Sequence, residues 1–500
     1  MRRSNGGIIG PDIVTTGGPT GAASGVFKLG EVTDLIRQNK WPTVSPFPAN
    51  VTPNSCRFNT ASSDYLNRTQ TAGNRKKWTW SAWVKKSSTG ANQSLCVAYQ
   101  DSANWTSINF ESDDELNFYE YQGASVVGQK HISMKARDVN GWYHFMCIWD
   151  SENSTADDRM IIYVNGIRQT AFQASTNPSI NTLTAMNRNS YPVRIGTNNS
   201  NNYFNGYMAE VVLIDGLALT PTSFGETNSD SGIWIPKTIT GLTFGTNGYY
   251  LKFANSAALG TDSSGEGNNF TVNNLTSLDQ TTDSPSNNWC TWNFLDRYYT
   301  QAVFSDGNCT VQTPNASETY CTSTFKMSSG KWYAEISTYD GSNRDNIGIV
   351  DSVATANNGS NNLYQKAKGY SYRGVGGVWN NDSQLSGTFA SYGSPNTIGV
   401  AVDLDNNLIY FSKDGVWQNS ADPSSGTGGV SITAAASLTE GSYFFAVGDE
   451  VTSDDTTYRA NFGNPAYALT SAVADGNGLG QFEYTPPTGF VSLCTNNLNL

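Results

Sequence analysis

The sequence predicts an all-β protein of two tandem β-sandwiches behind a short glycine-rich arm, and three observations carry that prediction. In residues 398–417, IGVAVDLDNNLIYFSKDGVW, Val400, Val402 and Leu404 alternate with small or polar residues. A turn follows at Asp405, Asn406 and Asn407, and Ile409 and Phe411 resume the alternation before a second turn at Lys413, Asp414 and Gly415. Period-two side chains place one face in a core and leave the other wet, which suits a sheet stacked on a second sheet. The same device occurs far earlier, in residues 159–172, where Met160, Ile162 and Val164 lead into an Asn165-Gly166 turn and Ile167 and Thr170 lead out. Both turn residues accept positive φ, which makes Asn-Gly a strong hairpin signal. Finally, charged residues are only 14% of the chain, below the ~25% of ordinary domains, so Asn, Ser, Thr and 48 glycines must supply the polar surface.

Taken in order, residues 1–50 form an arm in which Gly6, Gly7, Gly10, Pro11, Gly17, Gly18, Pro19 and Gly21 leave no room for a core. One short helix is expected over residues 29–40, with Leu29, Val32, Leu35 and Ile36 on one face and Trp41 closing it. Alone it is too short to be stable, so the arm reads either as an attachment segment or as a disordered leader. Strand signals then crowd residues 51–236, at 78–84, 95–99, 106–110, 116–121, 142–149, 160–164, 192–196 and 207–214. Residues 237–288 read as a Gly, Ser, Asn and Asp-rich connection that adds one strand, 249–253, to the first sandwich. Residues 289–500 form the second sandwich.

The runs WTWSAWVKK, GWYHFMCIWD, IIYVNG, VRIG and FNGYMAEVVLID follow the order found in laminin-G-like, concanavalin-like jelly-roll domains, which residues 51–236 resemble. From Trp289 onward, FKMSSGKWYAEIST, GYSYRGVGGVW, the 398–417 meander, YFFAVGDE, YRANFG and YTPPTGFVSL resemble a SPRY domain. Both resemblances imply two-sheet jelly rolls, in agreement with the periodicity.

Charge and motifs exclude more than they assign. A net charge of -12 argues against nucleic acid or an anionic membrane as partner. No apolar run is long enough to span a bilayer, and MRRSNGGIIGPD does not read as a secretory signal. The seven cysteines lack C-x-x-C spacing and read as small apolar residues, with a Cys309–Cys321 bridge as the alternative. Glu111, Asp113 and Glu115 mimic the E-x-D-x-E strand of some glycosidases, but Ser112 and Asp114 lie between them instead of apolar residues, so the run reads as the exposed turn of a hairpin. Neither His131 nor His144 sits in a triad pattern, and His144 reads as a hydrogen-bonded structural imidazole. No catalytic set and no cofactor are expected. Calcium in loops bearing Asp113, Asp114, Asp157, Asp158, Asp262 and Glu266 stays open beside plain solvated turns.

Binding remains. SPRY domains bind through loops at one end, and the resemblance points to residues 370–382, where Tyr370, Tyr372, Arg373, Trp379 and Asp382 could stack on and hydrogen-bond a ligand; packing of Tyr372 and Trp379 within the sandwich is the alternative. The whole arrangement, with GGIIGP, VFKLGEV and MAEVVLIDGLALTPTSFGE, resembles structural proteins of marine tailed bacteriophages. That resemblance implies a virion appendage, a tail or head fibre, joined to other virion proteins by residues 1–50, commonly trimeric, and recognising a host surface glycan or protein. A decoration protein without receptor binding and a glycan-degrading spike are the alternatives.

Overall fold

A computed structural model describes residues 7–10, 25–28, 51–199, 201–229, 231–296, 302–313, 320–339, 345–354, 362–450 and 456–498, the first two stretches as backbone only. Residues 7–10 and 25–28 pair as an antiparallel ribbon, strands Gly7–Gly10 and Gly25–Lys28, which the sequence did not suggest. The expected helix at 29–40, and with it Leu29, Val32, Leu35, Ile36 and Trp41, lies outside the described residues.

Two antiparallel sheets stack into the first sandwich. One runs in the order Ile167–Arg168, Met160–Val164, Tyr143–Asp150, Lys77–Lys86, Gly206–Asp215, Ser55–Phe58 and Gln280–Thr281, with Tyr249–Leu251 also on Gly206–Asp215. The facing sheet runs Phe172–Thr176, Ser125–Lys135, Glu115–Gln122, Asn104–Phe110, Gln93–Asp101, Pro192–Ile195, Tyr65–Thr69 and Thr271–Asn273. Alternation fills the space between them: Trp78, Trp80, Phe145, Cys147 and Trp149 come from one sheet, Cys96, Ile108, Phe110, Leu116 and Phe118 from the other. Residues 237–288 correct the expectation of one added strand. They contribute Tyr249–Leu251, Thr271–Asn273 and Gln280–Thr281, the last two on the outer edges of the two sheets.

The second sandwich repeats the plan. Val303–Ser305, Thr310–Thr313, Thr456–Asn461, Lys331–Thr338, Thr397–Asp403, Leu408–Lys413 and Val416–Trp417 form one sheet, with Val430–Ser431 beside Leu408–Lys413; Tyr320–Thr322, Phe444–Asp449, Asp345–Val350, Tyr370–Arg373, Val378–Asn380 and Ser383–Gln384 form the other. Val400, Val402, Leu404, Ile409 and Phe411 all enter one core, as their spacing requires. Among the described residues the one α-helix is the single turn Thr495–Leu498, and no helix is long and apolar enough to cross a membrane.

A buried polar seam joins the sandwiches. Lys85 Nζ, on a central strand of the first, is 2.8 Å from Asp283 Oδ2 and donates to Asn288 Oδ1 at 2.7 Å, while Trp142 Nε1 donates to Asp283 Oδ1 at 3.0 Å. The Tyr207 hydroxyl donates to the Gly307 carbonyl at 2.7 Å, and Asn308 Nδ2 to the Ser87 carbonyl at 2.9 Å. All seven cysteines are buried and unpaired, Cys309 and Cys321 included.

Candidate functional site

Four consecutive strands of the first sandwich, Gln93–Asp101, Asn104–Phe110, Glu115–Gln122 and Ser125–Lys135, form a meander whose inward residues are mainly apolar, with Thr106 and Glu120 bonded to each other among them. The opposite face is of another kind. Because the period is two, Thr106, Ile108, Phe110 and Phe118 point inward, and Trp105, Ser107, Asn109, Asn117, Tyr119 and Tyr121 point out. Register sets these residues side by side: Tyr99 opposite Trp105, Trp105 opposite Tyr121, Ser107 opposite Tyr119, and Asn109 opposite Asn117.

The rings make a compact, half-buried platform. Trp105 and Tyr121 have centroids 4.1 Å apart, Tyr99 and Trp105 lie stacked at 6.4 Å, and Trp105 Nε1 donates to the Tyr119 hydroxyl at 3.2 Å. Burial raises the Tyr119 phenol pKa, so this hydroxyl is neutral at ordinary pH. Beside the platform runs a row of amides. Asn109 and Asn117 both donate to Glu111 Oε1, at 3.0 and 2.8 Å, Ser107 donates to Asn109 Oδ1 at 2.9 Å, and Gln129 to Asn117 Oδ1 at 3.1 Å. A cavity of about 290 Å³ opens between the rings and the loop carrying Asn198, Asn199 and Asn201. Flat apolar rings beside amides and hydroxyls suit a ligand with one apolar face and a rim of hydroxyl groups.

For residues 370–382 the structure follows, at Tyr372, the packing alternative that the sequence left open. They are two paired strands of a sheet, not a free loop, so alternation drives Tyr370 and Tyr372 into the core. The Tyr372 hydroxyl donates to the Ala390 carbonyl, and the Tyr370 hydroxyl lies 3.1 Å from Thr433 Oγ1. Arg373 is held by Glu450 and sandwiched between Tyr364 and Trp379, with its guanidinium 4.3 and 4.4 Å from their centroids. Trp379 is half-buried in that stack, and Asp382 is exposed.

The acidic run at 111–115 is the turn between Asn104–Phe110 and Glu115–Gln122. Glu111 N donates to Glu115 O at 3.0 Å, Asp114 N to Glu111 O at 2.9 Å, and Asp114 has a φ of 69°. The Asp114 carboxylate is buried against Lys86 Nζ at 2.7 Å and Arg137 Nε at 3.1 Å. Of the loop acids considered for calcium, Asp262 organises its own loop, its oxygens accepting Tyr250 N, Ser264 N, Ser264 Oγ and Asn268 N. Asp157 accepts from Asn177, Asp158 pairs with Arg168, and Glu266 is exposed. His144 is fully buried. Trp234 Nε1 donates to its Nδ1 at 3.1 Å, so the ring proton sits on Nε2, 2.8 Å from Ser81 Oγ, and burial pulls its pKa down to about 3.

Residues 60–223 match the family model of the concanavalin A-like lectin/glucanases superfamily. No curated protein sequence matches the chain. Solved structures similar to it include the SPRY domain of human HERC1, at 12% identity over 30% of this chain and 86% of that one, with a TM-score of 0.24. A native heptameric SAP-like pentraxin from Limulus polyphemus is similar at 18% identity over 35% of this chain and 80% of that one, with a TM-score of 0.25. A putative carbohydrate binding protein from Bacteroides ovatus is similar at 16% identity over 44% of this chain and 58% of that one, with a TM-score of 0.29. The chain is an all-β protein of antiparallel sheets in the concanavalin-like jelly-roll class, and residues 60–223 are the part of it that matches the family model.

Proposed function

We propose that this chain is a non-catalytic adhesive protein whose first sandwich holds a saccharide on its outer face, and that it serves in a virion as a tail or head fibre. The observation that carries the binding reading is the Tyr99, Trp105, Tyr119 and Tyr121 platform beside the amide row from Ser107 to Gln129. A pyranose presents an apolar C–H face to such rings and equatorial hydroxyls to such amides. The lectin/glucanase family match over residues 60–223 supports a carbohydrate as the ligand class. The finer reading rests on the sequence resemblance of GGIIGP, VFKLGEV and MAEVVLIDGLALTPTSFGE to phage appendage proteins, with residues 1–50 attaching the chain to other virion proteins and copies of it assembled as a trimer.

Affinity electrophoresis of the full chain through gels containing host surface polysaccharides tests the binding reading. Wild-type protein is retarded, and Trp105→Ala loses about tenfold or more in affinity, since truncating a central aromatic anchor costs about 2 kcal/mol. Asp382→Ala binds like wild type. Retention of Trp105→Ala equal to wild type sinks the assignment of this face.

A further inference from the structure

At the end of this outer face, three donor atoms meet that no single stretch of sequence contains. Asp113 Oδ1 comes from the turn, Glu115 Oε2 from the start of Glu115–Gln122 and His131 Nε2 from the middle of Ser125–Lys135, all within 4.8 Å of one another. Glu115 and Asn117, two residues apart, share the outer side of their strand, and a register shift in the neighbouring strand sets His131 opposite Asn117 and Lys135 opposite Glu115. His131 Nε2 stands 3.3 Å from Glu115 Oε2 and 3.9 Å from Asp113 Oδ1.

Two of these three atoms have no hydrogen-bond partner. Glu115 is fully buried, yet its Oε2 makes no hydrogen bond, and neither does His131 Nε2. Its other oxygen, Oε1, is held by Gln173 Nε2 at 3.3 Å and lies 3.4 Å from Lys135 Nζ. Leaving a carboxylate oxygen unsatisfied in the interior is costly, and here the unsatisfied oxygen and an unsatisfied ring nitrogen lie side by side, 3.3 Å apart. From this geometry we infer that Asp113, Glu115 and His131 bind a divalent transition-metal cation of the zinc class.

Donor spacing and donor type both fit. Ligand bonds of ~2.0–2.2 Å in tetrahedral geometry set neighbouring donors ~3.3 Å apart, which is the separation of the His131 and Glu115 atoms. Asp113 Oδ1 accepts the Glu115 N–H at 3.1 Å, and its side chain, 40% exposed, turns from that bond toward the cation to close its longer gap. One imidazole with two carboxylates favours zinc or a neighbouring transition metal, whereas calcium takes six to eight oxygens. Three protein ligands leave a fourth position open. Lys135, with its side chain 41% exposed, extends toward solvent as the cation enters, and its charge weakens the site. The site stands whether or not the neighbouring face holds a sugar, because metal uptake is read without any saccharide.

The test is isothermal titration of Zn²⁺ into the full chain after dialysis against chelator, paired with melting curves. The expected result is one equivalent per chain, a raised melting temperature, no displacement by a hundredfold excess of Ca²⁺, at least tenfold weaker binding in His131→Ala and in Glu115→Gln, and tighter binding in Lys135→Met. Because Glu115 is fully buried and its variant can fail to fold, the partly exposed His131 carries the decision. Unchanged affinity in folded His131→Ala, absence of uptake with His131→Ala melting lower regardless of metal (a bare ion pair), or displacement by Ca²⁺ each overturns the inference.

Discussion

Lys85 and Asp283 show how much one pair of side chains can decide. Their charged atoms are 2.8 Å apart, both side chains are almost wholly excluded from solvent, and the remaining capacity is met by Asn288, the Trp289 carbonyl and Trp142. A buried pair of this sort adds little over an apolar pair of the same volume, yet breaking it on one side strands a charge. Asp283→Ala is therefore expected to lose about 3–5 kcal/mol, whereas Lys85→Met combined with Asp283→Leu loses much less. Urea unfolding of the single and double variants measures both; equal losses would mean that the pair contributes through packing alone. Because Lys85 lies in the first sandwich, Asp283 and Asn288 in the connection and Trp289 at the start of the second, this pair also fixes how the two meet.

At the scale of single elements, the Asn165-Gly166 hairpin forms as its sequence requires, with φ of 48° and 76°. It carries a further constraint that lies outside the turn. A Cβ at Gly166 would come within 2.6 Å of the Trp234 ring, whose Nε1 donates to buried His144. Gly166→Ala therefore meets both a left-handed backbone and a packed indole, and a loss of about 1–3 kcal/mol is expected in urea unfolding. A near-neutral result would show that Trp234 moves freely. Elements of this kind were legible because turn chemistry and alternation are local. Strand Ser125–Lys135 was not, since its outward residues are mixed and its Gly128 interrupts the pattern to make room for Trp149. The same limit hid the candidate site. Trp105 and Tyr119 were visible as strand residues, but only register sets them side by side, and His131 lies sixteen positions beyond Glu115 along the chain. Residues 370–382 left two readings open, because an aromatic, glycine-rich loop and a pair of core strands share one composition.

Across the whole molecule, buried carboxyl groups tie stability to pH. Burial pushes Glu120 up to about 8 and Glu210 and Glu335 to about 7. Glu120 shows the cause well: it points into the first sandwich, and although Thr106, Gln122 and the Ala185 N–H donate to it, they do not offset the lost solvation. An unfolded glutamate titrates near ~4.3. Between that value and 8 the native state therefore holds a proton that the unfolded state has released, and stability falls as pH rises through the window. His144 acts oppositely: its pKa of about 3 in the fold, against 6.5 outside it, makes the fold lose stability as pH drops below 6.5. Well above 6.5 the imidazole is neutral in both states, so the carboxyl groups dominate the slope up to about pH 8, and the buried cysteines, whose thiols burial also pushes up, add to it in the same sense toward pH 9. The melting temperature is expected to decline steadily from pH 6.5 to 9, and Glu120→Gln, which keeps the acceptor oxygen and cannot ionise, is expected to decline less steeply. Calorimetry of both proteins at four pH values across that range decides it. Parallel declines would place the linkage on Glu210 and Glu335 and leave Glu120 ionised within the core.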